Sequence, residues 1–331
     1  ASIQQPLSAV GRRMAVWWMP TPLGPLPMGL YFCCRYALLA FRQKPHPKKQ
    51  TTMLLEIAIG DAYGAGFEFV SPEIIEREHQ LDRYYPSRID VLEAGQYTDD
   101  TQMSMAIVEL MLSGEDWTRE SIAHYFLKAY HRDHRNANAN RIYQYMTQQQ
   151  TAQDFLTNIR PQSKRNGAAM RAVPIGLYPA IQEVLDKAAL QARLPHDTPE
   201  GIVSAQAVAL MAHYHRHQLG APAQLQAFVE QHTQWQFDDH KTTPVACDAL
   251  ETIDGVLTVL KNGQSLSEVL DLAVQLGGDT DSVASIACGI ASFCTAYPND
   301  WPSFLYTDLE QGPYGRAYIE GLDQQVLECW A

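Results

Sequence analysis

The chain is expected to fold as an all-α, single compact multi-helix domain preceded by an N-terminal extension. Three observations carry this expectation. From Met53 onward, apolar residues recur at three- and four-residue spacing in one segment after another. Several of these segments open on a recognisable helix cap. Strand-like alternation is scarce, and neither a fixed repeat period nor an internal linker breaks the body.

Taken in order, the spacing predicts helices over 53–64, 72–80, 100–113, 118–131, 138–148, 151–157, 169–185, 199–217, 222–232, 245–262, 266–275 and 282–296. The first is rich in small residues, Gly60, Ala62 and Gly64, which cost helix stability and so point to close packing at the centre of the fold. The second opens on Ser71-Pro72 and the eighth on Thr198-Pro199, with proline at the first helical position. The third carries Met103, Ala106, Ile107, Leu110 and Met111 on one face, and the last carries Val283, Ile286, Ala287 and Ile290.

The bulk numbers exclude several classes. The 331 residues are 46% hydrophobic, ample for a core, and the formal net charge of −12 argues against broad binding to nucleic acid or an anionic membrane. No apolar run is long enough, free of proline, to span a bilayer. The six cysteines include no C-x-x-C pair, and Cys288 and Cys294 read as core fillers. A reducing, cytoplasmic setting is expected. Residues 1–52 differ from the rest. They hold seven basic residues and no acid, with Trp17, Trp18 and a proline-rich stretch from Pro20 to Pro27. The prolines and the missing small-residue cleavage pattern weaken a signal-peptide reading. A mobile, partner-contacting arm or an upstream artefact of start-site choice remain, so the body is taken as 53–331.

Two acidic-hydroxyl clusters carry the chemistry. Tyr97-Thr98-Asp99-Asp100-Thr101 and Gly277-Gly278-Asp279-Thr280-Asp281-Ser282 each open a helix. Thr98 is a good cap, and acids in a first turn suit the helix dipole, so either cluster alone is explained by capping. Together they exceed that need. If the two helix ends meet, four carboxylates face one another and require a cation. Oxygen-only donors suit Mg2+, Mn2+ or Ca2+ rather than zinc. Gly277-Gly278 would also let the backbone approach a ligand closely. Glu68, between Phe67 and Phe69, is a carboxyl among aromatics, suited to proton transfer if partly desolvated, with a solvated or capping acid as the alternative.

Four motifs occur in a fixed order: Gly60-Asp61-Ala62-Tyr63-Gly64-Ala65, Thr98-Asp99-Asp100-Thr101, Asn166-Gly167-Ala168-Ala169-Met170-Arg171 and Gly277-Gly278-Asp279-Thr280-Asp281-Ser282. With Leu194-Pro195-His196-Asp197-Thr198-Pro199 between the last two, the pattern resembles the ADP-ribosylglycohydrolase family over roughly residues 53–325. The resemblance implies an all-α fold with a binuclear Mg2+ or Mn2+ site. It implies Thr98, Asp99 and Asp100 as one ligand group and Asp279, Asp281 and Ser282 as the other, serine keeping the hydroxyl oxygen where threonine is frequent. It places Glu68 beside the scissile sugar, with Glu68, Asp99 and Asp100 as candidate proton-handling residues. It gives Asn166, Gly167, Ala168, Met170 and Arg171 to the substrate's diphosphate and ribose, with Gly278 close by, and His196 to the nucleotide. Asp133 is a further acid near the site or a surface residue. After Arg132-Asp133-His134-Arg135 the chain departs from its relatives, carrying Asn136-Ala137-Asn138-Ala139, which leaves the aglycone preference open.

The implied activity is hydrolysis of the bond between ADP-ribose and a modified side chain, most readily arginine. The partner is then an ADP-ribosylated protein, and residues 1–52 are a candidate contact for an ADP-ribosyltransferase. Two rivals stand beside it: a non-catalytic binding or toxin-immunity protein, and a two-metal nucleotide phosphohydrolase. Arg171 and His196 also have plainer readings, as a structural ion pair and as part of a helix-capping turn. His213, His215 and His217 alternate and do not share a helix face, so no zinc site is expected there.

Overall fold

The computed structural model describes residues 52–89, 91–135 and 141–330. The expectations for residues 1–51 and 136–140, including the altered Asn136–Ala139 loop and the start of the fifth helix, lie outside the described residues.

Helices account for nearly all the regular structure. In chain order they are α1 (Leu54–Gly64), α2 (Pro72–Glu78), α3 (Asp99–Ser113), α4 (Arg119–Arg132), α5 (Arg141–Thr147), α6 (Ala152–Asn158), α7 (Ile181–Ala192), α8 (Pro199–Arg216), α9 (Leu225–Thr233), α10 (Ala249–Asn262), α11 (Leu266–Leu276), α12 (Thr280–Ala291), α13 (Phe304–Thr307) and α14 (Arg316–Cys329). Among the described residues there is no extended strand, only the isolated bridges Gln162–His196 and Val245–Gly278. Several helix starts are written in local sequence. The Thr118, Thr151, Thr198, Asp248 and Ser265 side chains accept from first-turn amides.

The centre of the fold is the packed pair α1 and α12, both buried along their whole length. Their closeness explains the glycines of α1. A Cβ on Gly60 would stand 2.5 Å from the Ala284 carbonyl oxygen, and one on Gly64 would stand 2.6 Å from the Asp281 Cα. No side chain fits there, and the Thr280 hydroxyl uses the contact to donate to the Gly64 carbonyl at 2.8 Å. The crossing therefore fixes the start of α12 against the end of α1. Helices α3, α8, α10, α11 and α14 pack around this pair.

The expected helix over 169–185 is corrected. Asn166–Ala168 and Val173–Leu177 are short 3-10 turns, and α7 begins only at Ile181. Pro174 lacks an amide to donate, and Pro179 holds Tyr178 in an extended conformation (ψ 139°). The last expected helix ends at Ala291 rather than 296. The tenth starts at Ala249 rather than 245, because Val245 bridges to Gly278 and Asp248 serves as cap. Helices α13 and α14 were not expected. The latter buries Ile319, Leu322, Asp323 and Val326 on one stripe. Asp323 caps α1 across the chain, accepting from the amides of Met53, Leu54 and Leu55 at 2.9–3.2 Å.

Candidate active site

The first turn of α3 is held from two sides. Thr98 caps it locally, its hydroxyl accepting from the Asp100 amide at 3.2 Å. Asp61, buried in α1, accepts from the amides of Thr98 (3.0 Å) and Thr101 (2.9 Å) and from the Thr101 hydroxyl (2.6 Å). These bonds take the role that the acids of α3 would otherwise serve. Asp99 and Asp100 are left to face a cleft. Burial raises the Asp61 carboxyl to about 6, against the lowering effect of its hydrogen bonds.

The start of α12 meets this turn. Ser285 donates to Asp100 Oδ1 at 3.0 Å, tying the two helices together beneath the carboxylates. Asp100 is pushed well above the usual carboxylate range by burial, then by the charges of Asp61, Asp99 and Asp279. Asp281 is pushed up by burial, then by Glu68, Asp279 and Asp100. Asp279 Oδ2 accepts from Asn166 Nδ2 at 2.7 Å, and the same amide group donates to the Thr252 hydroxyl. Asp281 Oδ1 is buried with no hydrogen-bond partner.

Glu68 reaches the cluster through a backbone frame. The Phe69 amide donates to the Gly278 carbonyl at 2.8 Å, the Val245 amide to the Gly277 carbonyl at 3.0 Å, and the Asp279 amide to the Val245 carbonyl at 2.8 Å. Three separate segments are thereby knitted edge to edge. Gly278 adopts φ +81°, with the Val245 backbone where a Cβ would project. Phe69 itself lies at φ +49°, an uncommon conformation for a side-chain-bearing residue, and remains half exposed at the cleft edge.

The cleft has a volume of about 1250 Å3. Its lining includes Glu68, Thr98, Asp99, Asp100, Asp279, Asp281 and Ser282, so both acidic clusters open into one space. The same space is lined by the aromatic Phe126, Tyr143, Tyr145 and Phe155 and by the exposed Arg160, Lys164 and Arg165. Asn166, Gly167, Met170, Arg171 and His196 lie along the wall. Arg171 Nε donates to Gln191 Oε1 at 2.6 Å, its Nη1 donates to the Gly167 carbonyl, and its guanidinium covers the Phe126 ring. Burial lowers Arg171 to about 9, even with Asp99 and Asp100 opposing the shift. His196 is held well below its ordinary value by burial and by Arg171, and its Nδ1 has no partner.

Three expected residues do not line the cleft. The Asp133 carboxylate accepts from Arg135 Nε at 3.0 Å and from the Tyr97 hydroxyl at 3.3 Å. Its neighbour Arg135 also pairs with Glu310 and covers the Tyr97 ring, so Asp133 belongs to an ion-pair network beneath the Thr98 turn. Ala168 turns its carbonyl to Gln191 Nε2, and Gly278 contributes through its backbone. Conversely, sequence reasoning assigned no site role to Asp61, Gln191, Cys247, Thr252 or Ser285. Only Asp61 carried a signal, its place in the small-residue motif.

The cleft thus brings acids gathered at helix ends together with aromatic side chains and a basic rim. The ADP-ribosylglycohydrolase family model matches residues 43–328, and the chain belongs to that family. It is 28% identical over 267 residues to the ADP-ribosyl-[dinitrogen reductase] glycohydrolase of Rhodospirillum rubrum, covering 77% of this chain and 88% of that protein. It is 24% identical over 267 residues to the ADP-ribosylarginine hydrolase Tri1 of Serratia proteamaculans, covering 74% and 71%. It is 30% identical over 173 residues to the ADP-ribosylhydrolase ARH3 of Xenopus tropicalis, covering about half of each chain (49% and 48%). A solved structure titled ADP-ribosylglycohydrolase-related protein complex superposes with a TM-score of 0.65 at 20% identity, covering 85% of this chain and 98% of that one, and shows the same fold.

Proposed function

We propose that this chain hydrolyses the N-glycosidic bond between ADP-ribose and an arginine side chain of a modified protein, with two Mg2+ or Mn2+ ions as cofactors. The observation that carries the reading is the meeting of Asp99 and Asp100 with Asp279 and Asp281 in one cleft, with Asp281 Oδ1 buried and unpartnered. Carboxylates raised by burial and by each other are stabilised by cations, and all the donors on Thr98, Asp99, Asp100, Asp279, Asp281 and Ser282 are oxygens. These six residues would hold the ions. When bound, the ions supply Lewis acidity and an acidified water for attack at the sugar carbon.

The chain's own residues do the rest. Glu68 stands beside Asp281 and is mostly buried, placed to pass a proton to the leaving nitrogen as oxocarbenium character builds at the ribose C1″. Asn166 orients the Asp279 carboxylate through its 2.7 Å bond. Arg171 fastens the Gly167 carbonyl and packs on Phe126, so its part in holding the diphosphate is to shape the loop. His196, neutral and with a free Nδ1, offers the nucleotide a hydrogen-bonding group rather than a charge. Residues 1–52 are proposed as a contact for a partner such as an ADP-ribosyltransferase.

The names of two relatives, both acting on ADP-ribosylarginine or an ADP-ribosylated protein, support the choice of substrate class. The test is release of free ADP-ribose from ADP-ribosylarginine and from serine-linked ADP-ribose, with Mg2+ or Mn2+ and again with chelator. Cation-dependent release from arginine is expected. No release from either linkage would leave a binding protein as the better account, and phosphate or AMP as product would mean a phosphohydrolase.

A further inference from the structure

We propose that Glu68, Cys247 and Asp279 form a second kind of cation site in the cleft, one that takes a single thiophilic divalent ion of the zinc class. A ligand atom from each of these residues, two carboxylate oxygens and the Cys247 sulfur, lies within 4.8 Å of the other two. Tetrahedral zinc, with bonds of about 2.0 Å to oxygen and 2.3 Å to sulfur, sets its ligands roughly 3.3–3.8 Å apart, so small side-chain rotations close the set. Three protein ligands leave the fourth position open to the cleft.

The placement of the thiol is built into the backbone. Cys247 follows the Val245–Gly278 bridge and precedes the Asp248 cap of α10, so both its neighbours are pinned. The hydrogen bonds from Phe69 to Gly278 and from Asp279 to Val245 bring the other two donors to the same frame. A buried polar atom without a partner lies next to it, shared with the proposed Mg2+ set. Asp281 Oδ1 is buried and unpartnered, its residue only 5% exposed, and its carboxylate feels both Glu68 and Asp279. Sulfur is a poor donor to Mg2+ and a good one to zinc-class ions, so the thiol changes the metal preference of this corner of the cleft.

Loading the site breaks the Cys247 S–H bond. The proton leaves to water, and the sulfur lone pair goes to the cation. Because Asp279 is also in the proposed Mg2+ set, a zinc-class ion held here would oppose the loading of the hard pair. The site rests on geometry and does not require the hydrolase reading.

Cd2+ is the probe, because a Cd2+–thiolate bond has its own ultraviolet charge-transfer absorption. Titrating the full chain with Cd2+ is expected to produce that band with release of one proton per ion. Cys247→Ser and Cys247→Ala should both abolish it while circular dichroism shows the helices intact, and Zn2+ affinity by calorimetry should fall by at least about tenfold, the lower end of what a weakened metal shell costs. The band surviving in both variants would assign the sulfur to another cysteine and overturn the proposal. So would its absence from the wild-type protein. A chain that shows the band yet releases no ADP-ribose would refute the hydrolase reading and leave this site standing.

Discussion

Replacing Gly64 by alanine sets two effects of opposite sign against each other. In an ordinary helix interior the change stabilises, by about 1 kcal/mol. Here the new Cβ would lie 2.6 Å from both the Asp281 Cα and the Thr280 carbonyl oxygen, and 2.7 Å from the Asp281 amide nitrogen. All three are backbone atoms, so no side chain can rotate away. Either α1 or the start of α12 must move by several tenths of an ångström. Overpacking of this kind costs about 1–3 kcal/mol, and the Thr280 bond to the Gly64 carbonyl, worth about 1 kcal/mol, lies in the same contact. The clash and the strained bond outweigh the propensity gain, and a net loss of about 1–2 kcal/mol follows. The displacement also carries Asp281 away from Asp100, so Mn2+ binding should weaken more than global stability does. Chemical denaturation gives the first quantity and calorimetric Mn2+ titration the second. A Gly64→Ala protein as stable as wild type, with unchanged Mn2+ affinity, would show that the α1–α12 crossing does not set the site.

Three other outcomes follow from the same contacts. Asp61→Ala leaves the amides of Thr98 and Thr101 without their partner; a loss of about 2–4 kcal/mol by denaturation and a 10–100-fold drop in Mn2+ affinity are expected, and intact affinity would remove Asp61 from the site's support. Asp281→Ala should lower Mn2+ affinity at least about 100-fold while the cation-free protein melts at or above the wild-type temperature, since an unpartnered buried carboxyl with like charges around it is lost; a lower melting point would contradict that electrostatic picture. Asp323 concerns pH: burial raises its carboxyl from 3.8 to about 6, so the folded chain holds its proton longer than the unfolded chain does. Its contribution is therefore present below about pH 4 and is lost as pH rises through about 6, a change on the order of 3 kcal/mol that Asp323→Asn should remove from a denaturation series across that window.

Local sequence carried the parts of the fold that are decided locally. Thr118 and Thr198 mark helix starts because each cap satisfies an amide within its own first turn, and Ser71-Pro72 marks one through the proline at the first helical position. The acidic clusters were legible for a related reason: acids beyond the needs of a cap imply another use, and both clusters do open into one cleft. What sequence could not show depends on distant contacts. The 3-10 turn at Val173–Leu177 lies in a stretch whose apolar spacing mimics a helix, and only Pro174 and Pro179 betray it. Asp323 reads as one more acid in the last stretch of the chain until α14 docks on the start of α1. Asp133 sits three residues before the altered loop and looks available, yet Arg135 and Tyr97 occupy it. Cys247 has no flanking pattern at all, because its neighbours in the site come from residues 68 and 279.

The acids at this site oppose the fold that holds them. Asp100 and Asp281 are both buried and both raised, so without cations each weakens the core in which it lies. The frame around them consists of contacts that relaxation cannot easily undo: a glycine crossing with backbone against backbone, a carboxylate accepting three bonds from the α3 turn, a serine joining α12 to α3, and three backbone bonds knitting 68–69, 245 and 277–279. Rigidity of this sort keeps like charges close instead of letting them drift apart into solvent. The repulsion thus stored is released when a cation enters, so binding should stabilise the chain by more than the ligand contacts alone would give, and protons should compete with cations for the same oxygens.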